Sequence, residues 1–147
     1  MRKILVVAAL FVTGASFTAA YALDSGAAAP VVVTPVKSTG VTSTGQPIVL
    51  PQGDIEVTAS IFEIAPGAKL PVHKHPFPRY AYVLAGTLKV TSAETGKSDT
   101  FKTGDFIVEM VDQWHWGANV GADQVRLLVV DQVVAGAQST LLRSQAE

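Results

Sequence analysis

Between residues 54 and 131 this 147-residue chain repeats one pattern, a short run of branched and aromatic residues followed by a glycine-bearing turn. The runs fall at 55–61, 80–85, 87–93, 98–102, 106–111 and 124–131, and the punctuation includes "ETGK", "KTGD" and "NVGAD". Runs this short cannot bury an amphipathic helix, and turns every eight to twelve residues or so are the spacing of an antiparallel sandwich or barrel. In "DIEVTASIFEI" the two-residue period sets Ile55, Val57, Ala59 and Ile61 on one side, which predicts that this side faces a core. Nothing before residue 135 carries a helical period, so the expected fold class is all-β.

The length suits one domain with a real core. Arg2 and Lys3 precede an apolar run and the small-residue ending Ala20-Tyr21-Ala22, the layout of a secretory signal peptide cleaved after Ala22. The expected organisation is a signal peptide at 1–22, a flexible leader at 23–46 with an edge strand near 31–36, a barrel domain at 47–134 and a tail at 135–147. The tail is expected to hold a short helix or to be disordered. Pro35 confines the leader strand to an edge, because proline cannot donate to a central ladder. Export makes the destination periplasmic or secreted, with no membrane association once the signal is removed.

The chain has no cysteine, which excludes disulfides, thiolate ligands and a lipid-modified N-terminal cysteine. Its formal net charge is −1, and loss of Arg2 and Lys3 makes it more acidic, so nucleic acid is not an expected partner. The three histidines are the chemistry-bearing feature. His73 and His75 stand two apart, so in an extended strand both point to one face roughly 6–7 Å apart while Lys74 points away. His115 follows the run 106–111, where an antiparallel neighbour could bring it beside the pair. Three imidazoles without thiolate suit Zn, Cu, Fe, Ni or Mn, and uptake outside the cytoplasm favours Cu or Zn by the affinity order.

The two histidine segments resemble the two motifs of the cupin superfamily. The first reads Gly67, "AKLPV", His73, Lys74, His75, "PFP", Arg79, "YAYVLA", Gly86. The second reads Gly104, "DFIVE", Met110-Val111-Asp112, "QW", His115, "WGA", Asn119. The resemblance covers about residues 55–131 and implies a double-stranded β-helix, or jelly-roll barrel, with one divalent transition metal on His73, His75 and His115. The family's glutamate position holds Arg79, and its second-motif Pro and Gly are Met110 and Asp112. Arginine has no lone pair and stays charged, so it cannot be a ligand. The fourth ligand is then water or substrate, Glu109 reaching from a neighbouring strand, or Tyr80 as phenolate, in that order of preference.

Arg79 has two readings: an outward residue paired with a surface carboxylate, or a fork at the barrel mouth that holds an anionic ligand together with Tyr82. Trp114 and Trp116, flanking His115, are expected on the face opposite to it. Two functions follow from the resemblance. One is an exported metal-dependent enzyme, oxygenase-like or isomerase-like, acting on a small polar or anionic molecule. The other is a non-catalytic module that binds a small molecule or metal. The family's habit of pairing through its strand-rich edges also implies a homodimer.

Overall fold

The computed structural model describes residues 21–23 and 31–143, and no helix occurs among them. Residues 1–20, most of the expected signal peptide, lie outside the described residues. The chain divides into two units, 1–35 and 36–147. In the first, β1 (Tyr21–Leu23) pairs antiparallel with β2 (Val31–Val33).

The second unit contains two antiparallel sheets. One has four strands in the order β3 (Ile55–Ile64), β10 (Val125–Val134), β5 (Arg79–Ala85) and β8 (Phe106–Val108). The other has five, in the order β11 (Leu141–Leu142), β4 (His73–Lys74), β9 (His115–Asn119), β6 (Thr87–Ser92) and β7 (Ser98–Lys102). Consecutive strands β5 and β6 belong to different sheets with only Gly86 between them. Its φ of 86° and the 2.8 Å that would separate an added Cβ from the Gln124 carbonyl and Val125 Cα leave room for no side chain at this corner.

Alternation along β5 and β10 sends Ala81, Val83, Val125, Leu127 and Val129 inward, where they join Leu88 and Val90 of β6 and Ile107 of β8 in one core. Each of the buried Val, Leu and Ile side chains contributes on the order of 1.5–3 kcal/mol by leaving water. β3 behaves otherwise than its pattern suggests. Ile55, Val57, Ala59 and Ile61 face solvent, Val57 with 62% of its surface exposed, while Phe62 and Ile64 turn inward. The reason is register. β3 sits at the edge of its sheet and pairs Phe62 with Leu127, and Leu127 belongs to the core, so Phe62 shares its face.

The segments before and after the barrel strands are tied to them. The Gln46 side chain clamps Val111, donating from Nε2 to its carbonyl at 2.9 Å and accepting its N–H at 3.0 Å. Residues 139–143 are not helical: β11 pairs with β4, and the Arg143 N–H donates to the Val72 carbonyl at 2.9 Å.

Candidate metal centre

The strand order makes β4 and β9 neighbours, with His73 directly opposite His115 in their antiparallel pairing. His75, just past β4, is fixed by the bridge of its backbone to Val111 and by the Asp112 N–H, which donates to the His75 carbonyl at 2.8 Å. Asp112 holds φ at 55°, the left-handed conformation that glycine usually supplies, and aspartate tolerates it better than most residues. Its carboxylate meets Lys74 Nζ at 2.6 Å on the outer side, away from the imidazoles.

The three rings converge with centroids 4.5–5.1 Å apart, and all are buried. Each Nδ1 is turned to a backbone carbonyl: His73 to Pro71 at 2.8 Å, His75 to Ser139 at 2.9 Å and His115 to Gln113 at 2.8 Å. A carbonyl oxygen can only accept, so every Nδ1 carries a proton and each ring turns its Nε2 to the middle. Glu109 Oε2 lies 3.2 Å from the Nε2 of both His75 and His115. Without an ion, the contact is a hydrogen bond only where an Nε2 carries a proton to donate to the carboxylate, and a bound cation would take that proton's place.

The ligand atoms of His73, His75, Glu109 and His115 all lie within 4.8 Å of one another. A tetrahedral ion with bonds of about 2.1 Å spaces its donors by roughly 3.4 Å, so the set fits a single transition-metal ion with small adjustment. The carbonyls at Nδ1 are the outer partners that fix ring orientation in such sites. Burial pushes the His73 imidazole down to about 4, assisted by the neighbouring His115 and His75 against the opposing Pro71 bond and Glu109. Burial alone would raise the Glu109 carboxyl, but hydrogen bonds from His115 and His75 and the charges of His75 and Arg79 hold it well below the usual carboxylate range. A neutral imidazole and an ionised carboxylate are the ligand forms a metal requires.

Glu109 reaches this position because it follows β8 beside β5, its N–H donating to the Arg79 carbonyl at 2.9 Å. Arg79 takes neither of the roles read from the sequence. It is buried, and its fork is filled by Asp131, with Nε to Oδ1 at 2.7 Å and a second nitrogen to Oδ2 at 2.9 Å. Thr140 accepts from the same nitrogen at 2.9 Å, and the remaining nitrogen stands 3.4 Å from His75 Nε2. The guanidinium is thus neither a surface pair nor a free anion clamp.

Tyr80 and Tyr82 also depart from expectation. They alternate with the buried Arg79, Ala81 and Val83, so they lie on the outer face of β5, and the Tyr80 ring stacks on Phe106 at 6.2 Å. Neither reaches the imidazoles. Trp114 and Trp116 carry cations on the outer side, Lys74 over the first at 5.1 Å and Lys69 over the second at 3.5 Å. Asp131, Ser139 and Thr140 were not legible as site residues. The only signal for Asp131 was one acidic residue ending an apolar run, and none marked the other two.

The chamber bounded by His73, Arg79, Glu109 and His115 is walled by Phe62, Leu70, Leu88, Val90, Leu127 and Val129 around a space of about 20 Å³. A larger depression of about 610 Å³, lined by Ser43, Ser92, Lys97, Asp99 and Met110 among others, touches the chamber wall through Val90 and includes none of the four ligand residues.

Residues 60–131 match the model of the family described as Cupin domain. The fold is similar to that of the polyketide cyclase RemF from Streptomyces resistomycificus, at 24% identity and a TM-score of 0.47 over 53% of this chain and 54% of the cyclase. It is similar to an oxalate decarboxylase from Lactobacillus farciminis, at 28% identity and 0.49 over 58% of this chain and 26% of that one. An oxalate oxidase aligns at 24% identity and 0.45 over 54% of this chain and 46% of its own. The aligned part is therefore about half of the cyclase or oxidase and a quarter of the decarboxylase. No curated protein sequence matches the chain significantly.

Proposed function

We propose that this chain, which belongs to the cupin superfamily through residues 60–131, is an exported protein that holds one divalent transition-metal ion on His73, His75, His115 and Glu109. The observation that carries the reading is the set of three Nε2 atoms and one carboxylate oxygen turned toward one another, with every Nδ1 held from behind by a carbonyl. When bound, the ion supplies Lewis acidity or redox chemistry at whatever position the protein leaves open. Zn, Cu, Mn, Fe and Ni all accept this donor set. The protein's own part is to fix the imidazole tautomers and to surround them with apolar walls that keep bulk water out.

Metal analysis of the purified mature protein tests the claim. The expected result is about one ion per chain in the wild type and a large loss in His73→Ala and His115→Ala; equal trace amounts in all three would refute it. Sequencing the mature N-terminus tests export, with Leu23 expected first. Oxygen uptake or product formation by the loaded protein would identify an enzyme, whereas stoichiometric binding without turnover would identify a binding module.

The partner we propose is a second copy of the chain. Support comes from the outer face of the four-stranded sheet, where Ile61, Leu128, Tyr82 and Phe106 form one cross-strand row. Ile55 and Val57 extend it along the free edge of β3, and its charged residues, Glu63 and Arg126, pair with each other at one end. Monomers seldom expose so continuous an apolar face, and a free edge strand invites pairing with another copy.

A further inference from the structure

We infer that the open position of this metal centre admits only one water-sized ligand, a monoanion by preference, and that Phe62 and Leu70 set the size limit; this rests on the metal reading above. The chamber is the first support. A cavity needs about 10–15 Å³ to hold one water, and the space here is about 20 Å³ before any ion is placed in it. Beside a bound ion there is room for at most one water-sized ligand.

The walls are the second support. Leu88, Val90, Leu127 and Val129 are core residues whose movement would open the barrel interior. Phe62 and Leu70 alone among the apolar wall residues are half-buried, so the side they occupy is the one that meets solvent. Phe62 leans toward the site, with the Arg79 guanidinium carbon 5.7 Å from its ring. Leu70 is seated by Gly117: an added Cβ there would stand 3.3 Å from Leu70 Cδ1, and the Leu70 N–H donates to the Gly117 carbonyl at 2.8 Å. A glycine inside β9 thus lets Leu70 lie over the chamber.

Charge is the third support. Arg79 and Asp131 cancel, and three neutral imidazoles with one carboxylate leave a divalent ion with one positive charge uncompensated. An unbalanced charge among apolar walls is costly, so a monoanion at the open position is favoured over a neutral ligand. Arg79 cannot hold the carboxylate of a larger molecule, because its fork is already occupied.

The test uses the mature protein loaded with Co²⁺, whose visible absorption reports its ligands, titrated with fluoride and with acetate. Both are monoanions, so their difference is one of size. The wild type should respond to fluoride and bind acetate at least about tenfold more weakly, a gap of roughly 1.4 kcal/mol. Phe62→Ala should raise acetate affinity about tenfold or more while leaving that for fluoride within about twofold. Leu70→Ala serves the same purpose should the first variant fail to fold. Acetate binding as tight as fluoride in the wild type, or an unchanged ratio in the variants, would overturn the inference with the metal site intact. A Co²⁺ titration that produces no visible bands would instead defeat the metal reading itself.

Discussion

Replacing Asp131 with asparagine isolates the buried Arg79–Asp131 ion pair beside the imidazoles. The change keeps side-chain volume and one hydrogen-bond acceptor, so no cavity forms and the effect is electrostatic. Asp131 meets Arg79 through two bonds of 2.7 and 2.9 Å, and both residues are more than nine-tenths buried. Removing one member of such a pair leaves a buried charge uncompensated, at a cost of about 3–5 kcal/mol. A domain has only about 5–15 kcal/mol in total, so metal-free Asp131→Asn should lose a large share of its stability. In thermal terms the midpoint should fall by roughly 10–20 °C for a domain of this size.

Urea unfolding followed by tryptophan fluorescence measures the cost, provided the slope with denaturant is unchanged. The control is Arg79→Met with Asp131→Leu, which removes both charges and fills the space with apolar atoms. Buried pairs replaced in that way often cost nothing, so the double variant should stay within about 1 kcal/mol of wild type. A single variant costing less than about 1 kcal/mol would place the pair among weak surface bridges and refute the reasoning. A double variant as unstable as the single one would refute it equally, since packing and not charge would then be responsible.

Metal-free stability should decline as pH falls from 6.5 to about 4, because the unfolded chain takes up the His73 proton near 6.5 while the folded chain resists until about 4. Below 4.5 the lowered Glu109 carboxyl adds to the loss, since its contribution is present above its unfolded value and disappears as acid protonates it; a flat urea midpoint across that range would contradict the burial of His73 and the bonding of Glu109 to its imidazole and Arg79 partners. Ending the chain before Ser139 removes the carbonyl that orients His75 and the hydroxyl that meets Arg79, and should weaken metal binding about 10- to 100-fold by competition with a chromophoric chelator. Val57→Lys with Ile61→Lys places charges on the exposed face of β3; sedimentation should show a dimer for the unaltered mature chain and a monomer for the variant, and an unaltered chain that sediments as a monomer would dispose of the interface.

Strand positions were readable because alternation and glycine turns are local properties, and β7 occupies the predicted residues 98–102. Face parity in β3 was not. Both of its faces carry apolar residues, and only pairing with β10 decides that Phe62 and Ile64 turn inward. The imidazole pair His73 and His75 was legible from spacing, and their meeting with His115 from the family motifs. Arg79 was not, because Pro76 and Pro78 interrupt the ladder and uncouple its direction from that of His75. Ser139 and Thr140 contribute to the site through a backbone carbonyl and a hydroxyl, in a segment whose composition marks nothing.

A carboxylate at 109 shows how a donor absent from one motif position could be supplied from the facing position. Positions 79 and 109 oppose each other across the β5–β8 pair, in continuation of the register that sets Tyr80 against Val108. Directly opposed residues share a face, so a side chain from either position enters the same chamber. With arginine at 79, the carboxylate at 109 reaches His75 and His115, and the charge introduced by the arginine must then be neutralised from elsewhere. Asp131, paired with Arg79 in the β10–β5 register, does this from the other flank. Three adjacent strands therefore carry the sequence Glu109, Arg79 and Asp131 at one level of the sheet, and a change at any one of them alters the charge that the other two must balance. Arg79→Glu alone should accordingly weaken metal binding, by setting a carboxylate against both Asp131 and Glu109. Combined with Asp131→Asn and Glu109→Gln it should restore binding through position 79, and metal content that stays low in the triple variant would show that the two positions are not interchangeable.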